Sequence, residues 1–314
     1  SGAKKGVSKL ERNLEGASQK AKKIGGNMTK YLTAPIMALG GLGIAAANEL
    51  DKAYGIIQAG TGATGDDLEK LKDDFKEVFT EVPQSAEEVS NALATLNTLT
   101  GATDGTLQDL GKGVLDASRM LGEDGATNAE AFGQALAQWN VPAEDGKDTL
   151  DALFVATQDY GIGLGDLSGK LTDYGSVMQN AGFSVEETAD LFGRLDSQGI
   201  KVSRLMPGLN KSFRDWASEG KDSREELEKT IKRMQDAETE TEALAIATDV
   251  FGAEGAQRMT TAVRNGAFAI GDLGDALEDS QGTIDETGEE TLTLSDRFAQ
   301  MKNETMVALE PLGE

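Results

Sequence analysis

The feature that most constrains the fold is a helix-breaking residue about every 20 positions through the middle of the chain. Between these breaks, apolar residues recur at the spacing of one helix face, and no stretch shows the alternation that strands require. The breaks fall at Gly65, Pro83, Gly105, Gly125, Gly146, Gly165, Gly182, Gly199 and Gly220. The sequence therefore predicts an all-α fold, a multi-helix array of αα-hairpins with about 20 residues per helix-loop unit, and a compact multi-helix domain is equally acceptable.

Side chains able to cap helices recur along the same region. In a capping box, a Ser or Thr hydroxyl accepts a hydrogen bond from the amide three residues later, and a Glu at that position bonds back to the first amide. The pairs with this spacing are Ser85/Glu88, Thr127/Glu130, Ser184/Glu187, Ser223/Glu226 and Thr239/Glu242. We expect each pair to begin a helix.

Residues 183–209 carry the most complete pattern of this kind. Ser184 can begin a helix, and Gly199 can end it, because glycine tolerates the left-handed cap that other residues resist. The predicted buried positions are Ala189, Leu191, Phe192 and Leu195 in this helix and Leu205, Leu209 and Phe213 in the next. The stretch therefore predicts an αα-hairpin.

The composition excludes several kinds of chemistry. The 314 residues include no His and no Cys, so ordinary zinc sites, Ser-His-Asp triads, Cys-His dyads and disulfides are impossible. Acidic residues number 54, so the choice of any one pair as catalytic would be arbitrary. We therefore predict no enzymatic activity and no catalytic residue, cofactor or metal site.

One glycine-rich stretch matches the spacing of a dinucleotide-binding fingerprint, Gly60-Thr61-Gly62-Ala63-Thr64-Gly65. That motif needs a strand before it, so that the amides of the following helix meet a pyrophosphate. Here an apolar helix ending near Ile57 is expected instead. We interpret the stretch as a loop between helices, with Asp66 and Asp67 opening the next helix where its dipole favours carboxylates.

Charge is distributed unevenly along the chain. The net charge is −24, but residues 1–30 carry eight basic and two acidic residues, which leaves −30 on the remainder (−24 minus 6). An acidic body repels nucleic-acid phosphates and anionic lipid, whereas a short basic arm can contact either. The sequence therefore predicts no specific nucleic-acid readout.

Both ends of the chain carry heptad-like apolar stripes, which are typical of coiled-coil-like helices. The first stripe comprises Val7, Leu10, Leu14, Ala17, Ala21, Ile24, Met28 and Tyr31, and the last comprises Leu294, Phe298, Met301, Thr305, Ala308 and Leu312. The first helix can associate with another copy or pack onto its own core, and both outcomes fit the pattern.

Residues 31–48 contain no charged side chain. The stretch is short for a spanning helix, which needs about 20 apolar residues, and the basic arm before it is too long for a signal peptide. A buried core helix is the default, and membrane contact is the alternative, since small residues four apart allow close helix approach in lipid. The residues of this membrane-contact or helix-packing segment are Leu32, Pro35, Ile36, Leu39, Gly41, Gly43, Ala45 and Ala47.

These patterns divide the chain into four predicted segments. They are a basic amphipathic helical arm at 1–30, an apolar Gly/Ala-rich helix and Gly-rich loop at 31–64, an acidic helical hairpin core at 65–270, and an exit helix at 271–314 leading to the rest of a longer chain. The initial Ser-Gly resembles the scar of a removed tag, so we expect a fragment.

The hairpin lies among motifs of fixed order. Leu-Thr-Ala-Pro-Ile at 32–36 and Val-Pro-Gln-Ser-Ala-Glu-Glu at 82–88 precede it, and Val-Phe-Gly at 250–252 and Leu-Glu-Asp-Ser at 277–280 follow it. Its own motif residues are Glu186, Glu187, Leu191, Gly199, Ile200, Lys201, Gly208 and Leu209. From about residue 28 to residue 309 the chain resembles the N-terminal core region of phage tail tape measure proteins. Pro207 departs from the usual pattern and challenges the continuity of its helix.

The resemblance implies a structural virion tail protein, made in the cytoplasm of the bacterial host, that governs tail tube assembly and tail length and is released during DNA ejection. The implied partners are further copies of itself through helix–helix contacts, tail tube and tail assembly proteins and, on infection, the host membrane or envelope. Three alternatives remain open. They are a membrane-interacting module that assists DNA delivery, an enzyme that degrades cell wall, and a general helical interaction scaffold.

Overall fold

Thirteen α-helices and no strand occur in the part of the chain that the computed structural model describes, residues 39–266, 277 and 280–312. The helices are α1 Leu39–Thr61, α2 Asp66–Glu81, α3 Ala86–Thr100, α4 Asp104–Leu121, α5 Gly125–Trp139, α6 Gly146–Tyr160, α7 Leu164–Asn180, α8 Val185–Ser197, α9 Val202–Ser218, α10 Ser223–Asp236, α11 Glu240–Arg264, α12 Thr283–Glu290 and α13 Leu294–Leu309. Short 3-10 turns lie at Ala143–Asp145 and Glu310–Leu312. The prediction of an all-α fold is confirmed.

The helices form two compact units. The first contains the described residues up to 116 together with 289–312, and the second contains the described residues between 117 and 288. The boundaries therefore fall inside α4 and α12. The four segments predicted from charge and punctuation stay predictions, and the basic arm at 1–30 lies outside the described residues.

The first unit is built on an apolar layer between α1, α2, α3 and α13. Phe75 and Phe79 of α2 are fully buried and stack with ring centroids 5.1 Å apart. Tyr54 of α1 meets Phe75 edge-on at 5.8 Å, and its hydroxyl donates a 2.6 Å hydrogen bond to Glu310. The carboxylate of Glu310 also pairs with Lys76 at 3.1 Å. These contacts join the two ends of the described chain within one unit.

Helix α13 buries a polar residue on its inner face. The side-chain amide of Asn303 donates 3.0 Å hydrogen bonds to the carbonyl oxygens of Val82 and Gln84, beyond the end of α2. Because these bonds fix the rotation of the helix, Asn303, Met306 and Leu309 are its buried residues. Leu294 and Phe298, which begin the predicted stripe, remain 47% and 42% exposed. Coiled-coil pairing through this stripe stays a prediction.

The second unit consists of paired helices. Helix α5 packs on α7, α6 on α8, and α9 and α10 on α11. Trp139 of α5 is buried, and its indole N–H donates to the carbonyl oxygen of Leu171 at 3.0 Å. Gly175 leaves room for this indole, because a Cβ there would lie 2.8 Å from the ring nitrogen. Trp139 is therefore a core residue, whereas Trp216 is half-buried.

Helix starts follow the predicted capping pairs in three of five cases. Ser85, Ser184 and Thr239 accept hydrogen bonds from the predicted amides. The pairs Thr127/Glu130 and Ser223/Glu226 were wrong, since Asp124 and Asp222 cap those helices. An aspartate is a charged acceptor at the positive end of the helix dipole, and it begins the helix before the hydroxyl can.

Four of the predicted breaks lie at helix starts. Gly105, Gly125 and Gly146, each preceded by Asp, and Gly165 stand in the first turns of α4, α5, α6 and α7, so they mark the boundaries between helices from inside the helix and not from the loop. The glycine-rich stretch behaves as predicted, because α1 ends at Thr61 and α2 begins at Asp66 with acidic residues in its first turn. The interpretation of that stretch as a helix-to-helix loop is confirmed.

Candidate functional site

The hairpin at 183–209 begins with a complete capping box. The amide of Glu187 donates to the hydroxyl of Ser184 at 3.1 Å, and the amide of Ser184 donates back to the Glu187 carboxylate at 2.9 Å. Helix α8 then ends at Ser197, and Gly199 adopts a φ of 66° in the left-handed region. The amide of Ile200 closes the turn on the carbonyl oxygen of Leu195 at 2.8 Å. The predicted start and end of α8 are confirmed, and a short turn leads from it into α9. Each of the two helices packs mainly on a helix outside the hairpin, α8 on α6 and α9 on α11.

The apolar motif residues of the hairpin are core residues. Leu191, Ile200 and Leu209 are all buried. Their contribution is packing, since fully burying a side chain of this size is worth about 1.5–3 kcal/mol. The acidic and glycine residues of the motif therefore remain as the positions able to serve something other than the core.

A cavity of about 880 Å³ opens at the start of α8. Its lining includes Glu186 and Glu187 of the motif together with Trp139 and Phe183. The guanidinium of Arg224 pairs with Glu187 and lies 5.7 Å from the centre of the Phe183 ring. Because Glu187 is used by its own helix cap and by this arginine, only Glu186 offers the cavity a free carboxylate among the motif residues.

The structure brings Gly208 of the motif against the late Val250-Phe251-Gly252 motif. A Cβ on Gly208 would lie 2.7 Å from the carbonyl oxygen of Phe251 and from the amide nitrogen of Gly252, so only glycine fits. Gly252 breaks the helical geometry inside α11 with φ 74° and ψ 162°. The Ser212 hydroxyl adds a 3.2 Å hydrogen bond to the carbonyl oxygen of Val250. Two motifs that are distant in sequence therefore form one helix crossing.

The same crossing shows a residue that sequence reasoning missed. Gly255 leaves the space that the side chain of Leu205 occupies. The signal that could have found it is a second glycine three residues after Gly252, since glycine inside a helix often marks a close approach of another element. Helix α9 runs without a break through the exposed Pro207, so the doubt about its continuity was wrong.

A second opening, a cleft of about 230 Å³, lies at the start of α9. Three cationic side chains line it, namely Lys201, Arg204 and Arg258, together with Glu254. Arg258 of α11 donates to the carbonyl oxygen of Gly199. The start of α9 has no side-chain cap, and its first turn has no acidic residue. We call these four residues with Gly199, Ile200 and Gly255 the basic cleft.

Two fully buried carboxylates were also missed. Asp190 of α8 accepts from Arg194 at 2.7 and 3.0 Å and from the hydroxyl of Tyr160 at 2.5 Å. Burial and this carboxylate raise the pKa of Tyr160 to about 12. Asp151 of α6 accepts from the amides of Gly282 and Ile284 at 2.8 and 3.1 Å, and burial raises its pKa. Both carboxylates use their oxygens on donors of the protein itself, which is a structural arrangement.

The apolar segment falls partly in α1. Leu39, Gly41, Gly43, Ala45 and Ala47 belong to this helix, whereas Leu32, Pro35 and Ile36 lie outside the described residues. Ala45 is exposed, Ala47 is half-buried, and the neighbouring Ala46 and Leu50 are buried. Within the described ranges, no helix combines the length and apolar character that crossing a membrane requires. Membrane contact by this segment stays a prediction.

The motif residues thus serve caps, core positions and a helix crossing. In the described parts of the chain, no three acidic side chains come together in a way that could hold a metal ion. A fold made of paired helices, with sites of this kind, defines the class of all-helical structural proteins.

The particular family follows from comparison with known proteins. The sequence profile of the family described as phage-related minor tail protein matches residues 76–253, more than half of the chain. The chain belongs to this family. It is therefore a structural protein of the phage tail, and its place is the virion tail.

A tape measure protein gives the second comparison. The tape measure protein of Pneumococcus phage Dp-1 is 26% identical over 181 residues, which cover 58% of this chain and 16% of that protein. The resemblance to tape measure proteins is confirmed. The matched region spans only that small share of the relative's length. No solved structure matches the chain.

Proposed function

We propose that the chain is the core part of a tape measure protein, which governs assembly and length of the tail tube and is released during DNA ejection. The observation that supports this is the likeness to the Dp-1 tape measure protein in the region that the family profile also matches. The role is structural and not enzymatic, because the motif residues in the described chain serve caps, packing and a helix crossing.

The proposed partners are other copies of the chain, tail tube and tail assembly proteins and, at infection, the host envelope. The protein would be made in the host cytoplasm. Exposed apolar side chains at Leu294 and Phe298 support a helix partner for α13, because side chains of this size are usually covered.

The packed helices of this chain differ from the extended helix that a measuring role requires. A tape measure acts through its length, and 314 helical residues would extend about 470 Å at 1.5 Å per residue. The hairpins use their apolar faces on one another, so the packed chain is far shorter than this. Either the hairpins open in the tail, or this part of the protein stays folded and contributes no length.

Tail length separates these two outcomes. We would delete residues 184–209 from the full-length tail protein and measure the tails by electron microscopy. If the residues count toward length as helix, tails shorten by about 39 Å, at about 1.5 Å for each of about 26 residues. The matched control is Gly208→Val, which disturbs the crossing with α11 but keeps the number of residues. It should give tails of normal length if residue count alone sets the length.

The other outcomes have defined meanings. Tails of normal length with failed infection would overturn the measuring role for this region and support a folded delivery module. Loss of tails in both variants would assign the hairpin to nucleation of assembly. Unchanged tails and unchanged infectivity would favour a helical scaffold outside tail assembly.

A membrane-interacting module that assists DNA delivery is the second candidate. The basic excess in residues 1–30 and the uncharged stretch at 31–48 favour it, since both features promote binding to anionic lipid. Sedimentation with anionic liposomes at low salt tests it, with residues 49–314 as the control. Equal sedimentation of both forms, or of neither, would contradict the proposal.

A further inference from the structure

The basic cleft holds cations that have no acidic partner. Lys201 and Arg204 are exposed, and Arg258 bonds a backbone oxygen. Among the described residues, none of the three forms an ion pair, although Glu254 lines the same cleft. Several other cations of the second unit do pair with carboxylates, as in Lys147 with Asp285, Lys170 with Asp166 and Lys211 with Asp215.

The distinctive feature is that three cations with no ion pair among the described residues share one opening. Lys201 and Arg204 come from the start of α9 and Arg258 from α11. Their mutual repulsion is relieved when an anionic group enters, which makes the cleft a surface for an acidic partner.

The size of the cleft limits that partner. A volume of about 230 Å³ is below the roughly 300–1,000 Å³ of pockets that hold a drug-sized ligand, which suits one or two carboxylate side chains. A nucleic-acid backbone carries its charges in a long series, and beyond the cleft it would meet the acidic surface of the body. The geometry therefore favours a short acidic peptide segment.

This chain itself carries such a segment. Residues 236–242 connect α10 to α11 and contain Asp236, Glu238, Glu240 and Glu242, all exposed. Glu242 accepts a hydrogen bond from the Glu238 amide. The other three carboxylates form no ion pair with any residue that the structure describes. We call this stretch the acidic turn.

The cleft and the acidic turn both contact the second half of α11. Arg258 in this half bonds the Gly199 carbonyl oxygen in the cleft, and Arg264, six residues later, bonds that of Ala237 in the acidic turn at 2.8 Å. In a two-fold pair of chains, a contact from cleft to turn is made twice, once in each direction. Two such contacts double the number of opposite charges that meet across the interface.

We propose that the basic cleft binds the acidic turn of a second copy of this chain. This contact rests on the self-association proposed above and names the surface that makes it. Its test measures association in solution and does not depend on tail length. Lys201, Arg204 and Arg258 supply the exposed charges of the cleft. Association through these groups weakens as salt is raised, because screening acts strongly on exposed charges.

The test is a charge exchange followed by analytical ultracentrifugation at low and high salt. One variant carries Lys201→Glu and Arg204→Glu, and the other carries Glu238→Lys and Glu240→Lys. We expect each variant alone to associate at least about tenfold more weakly than the original chain, because like charges then face each other. An equimolar mixture should regain association, since the reversed cleft of one variant now matches the reversed turn of the other.

The matched control is Lys232→Glu with Arg233→Glu, which makes the same charge change at exposed positions of α10. It should associate like the original chain. Circular dichroism of each variant verifies that the helices form. A monomer at all concentrations in low salt, equal weakening in the control, or a mixture that stays monomeric would each overturn the proposal. Any of these results would leave the tail-length experiment unaffected.

Discussion

Helices α8 and α9 belong to one hairpin but are held in different ways. Helix α8 is fixed by groups close in sequence, with the capping box of Ser184 and Glu187 at its start and the Asp190–Arg194 pair one turn further on. Helix α9 has no side-chain cap and contains Pro207. It is held by the crossing of Gly208 with α11. The difference teaches that local signals can fix one helix of a hairpin while distant contacts fix the other.

The largest expected loss of stability comes from a substitution that disrupts the contact between α9 and α11. Gly208→Val places a branched side chain against the backbone of Phe251 and Gly252. Because backbone cannot move aside as a flexible side chain can, we expect the free energy of unfolding to fall by about 3 kcal/mol. Urea unfolding followed by circular dichroism measures this.

The control for that variant is Gly169→Ala in α7, where an added Cβ meets nothing within 4 Å. It should leave the stability unchanged or raise it by about 0.5–1 kcal/mol, because alanine favours helix. Equal losses in the two variants would show that the close crossing has no special importance.

A smaller effect tests the local cap. Ser184→Ala removes the acceptor for the Glu187 amide, and we expect a loss of about 1 kcal/mol. Ser203→Ala is the matched control, because Ser203 is exposed in the first turn of α9 and makes no cap hydrogen bond. Its effect should stay within about 0.5 kcal/mol. A Ser203 loss as large as that of Ser184 would contradict the contrast between the two helix starts.

A pH-dependent effect concerns the proton on Tyr160, which ties α6 to α8. Its pKa lies at about 12 in the folded chain against an ordinary value of 10.0. The folded form thus keeps a proton that the unfolded form loses, so this contribution to stability is complete below pH 10 and is lost as pH rises toward 12. The chain has four tyrosines, and comparison of tyrosinate absorbance with and without Tyr160→Phe isolates this one. A Tyr160 titration at its ordinary value would contradict the hydrogen bond to Asp190.

The same contrast explains what the sequence could predict. The start of α8, its end at Gly199 and the buried face with Leu191 depend on residues within a few positions of one another, and all were predicted correctly. The caps at Asp124 and Asp222 were missed, because a hydroxyl three residues or one residue later, with the right spacing to a glutamate, hid a stronger acceptor. Local chemistry is enough to place a helix start in this region. The residue at which the helix begins depends on which of two nearby side chains is the stronger hydrogen-bond acceptor.

The candidate site was only partly predictable. The motif residues Gly199, Ile200 and Lys201 were identified, but nothing in their spacing indicates that Arg258 joins them. The close approach of Gly208 to Gly252 likewise depends on how α11 bends. The spacing of apolar residues in the sequence does not indicate that bend. Contacts between residues more than 40 positions apart leave no signal in one sequence, so the crossing and the basic cleft required the structure.

The order of the two units has a mechanical consequence. Helices α1 and α13 both belong to the first unit, and residues 117–288 lie between them in sequence as a separate unit. A pull applied to α1 and α13 is therefore borne by the bonds that join them inside the first unit, among them Tyr54 to Glu310. The second unit bears no tension until those bonds break. Its roughly 172 residues can then unfold or extend, and as one continuous helix they would lengthen the chain by about 260 Å.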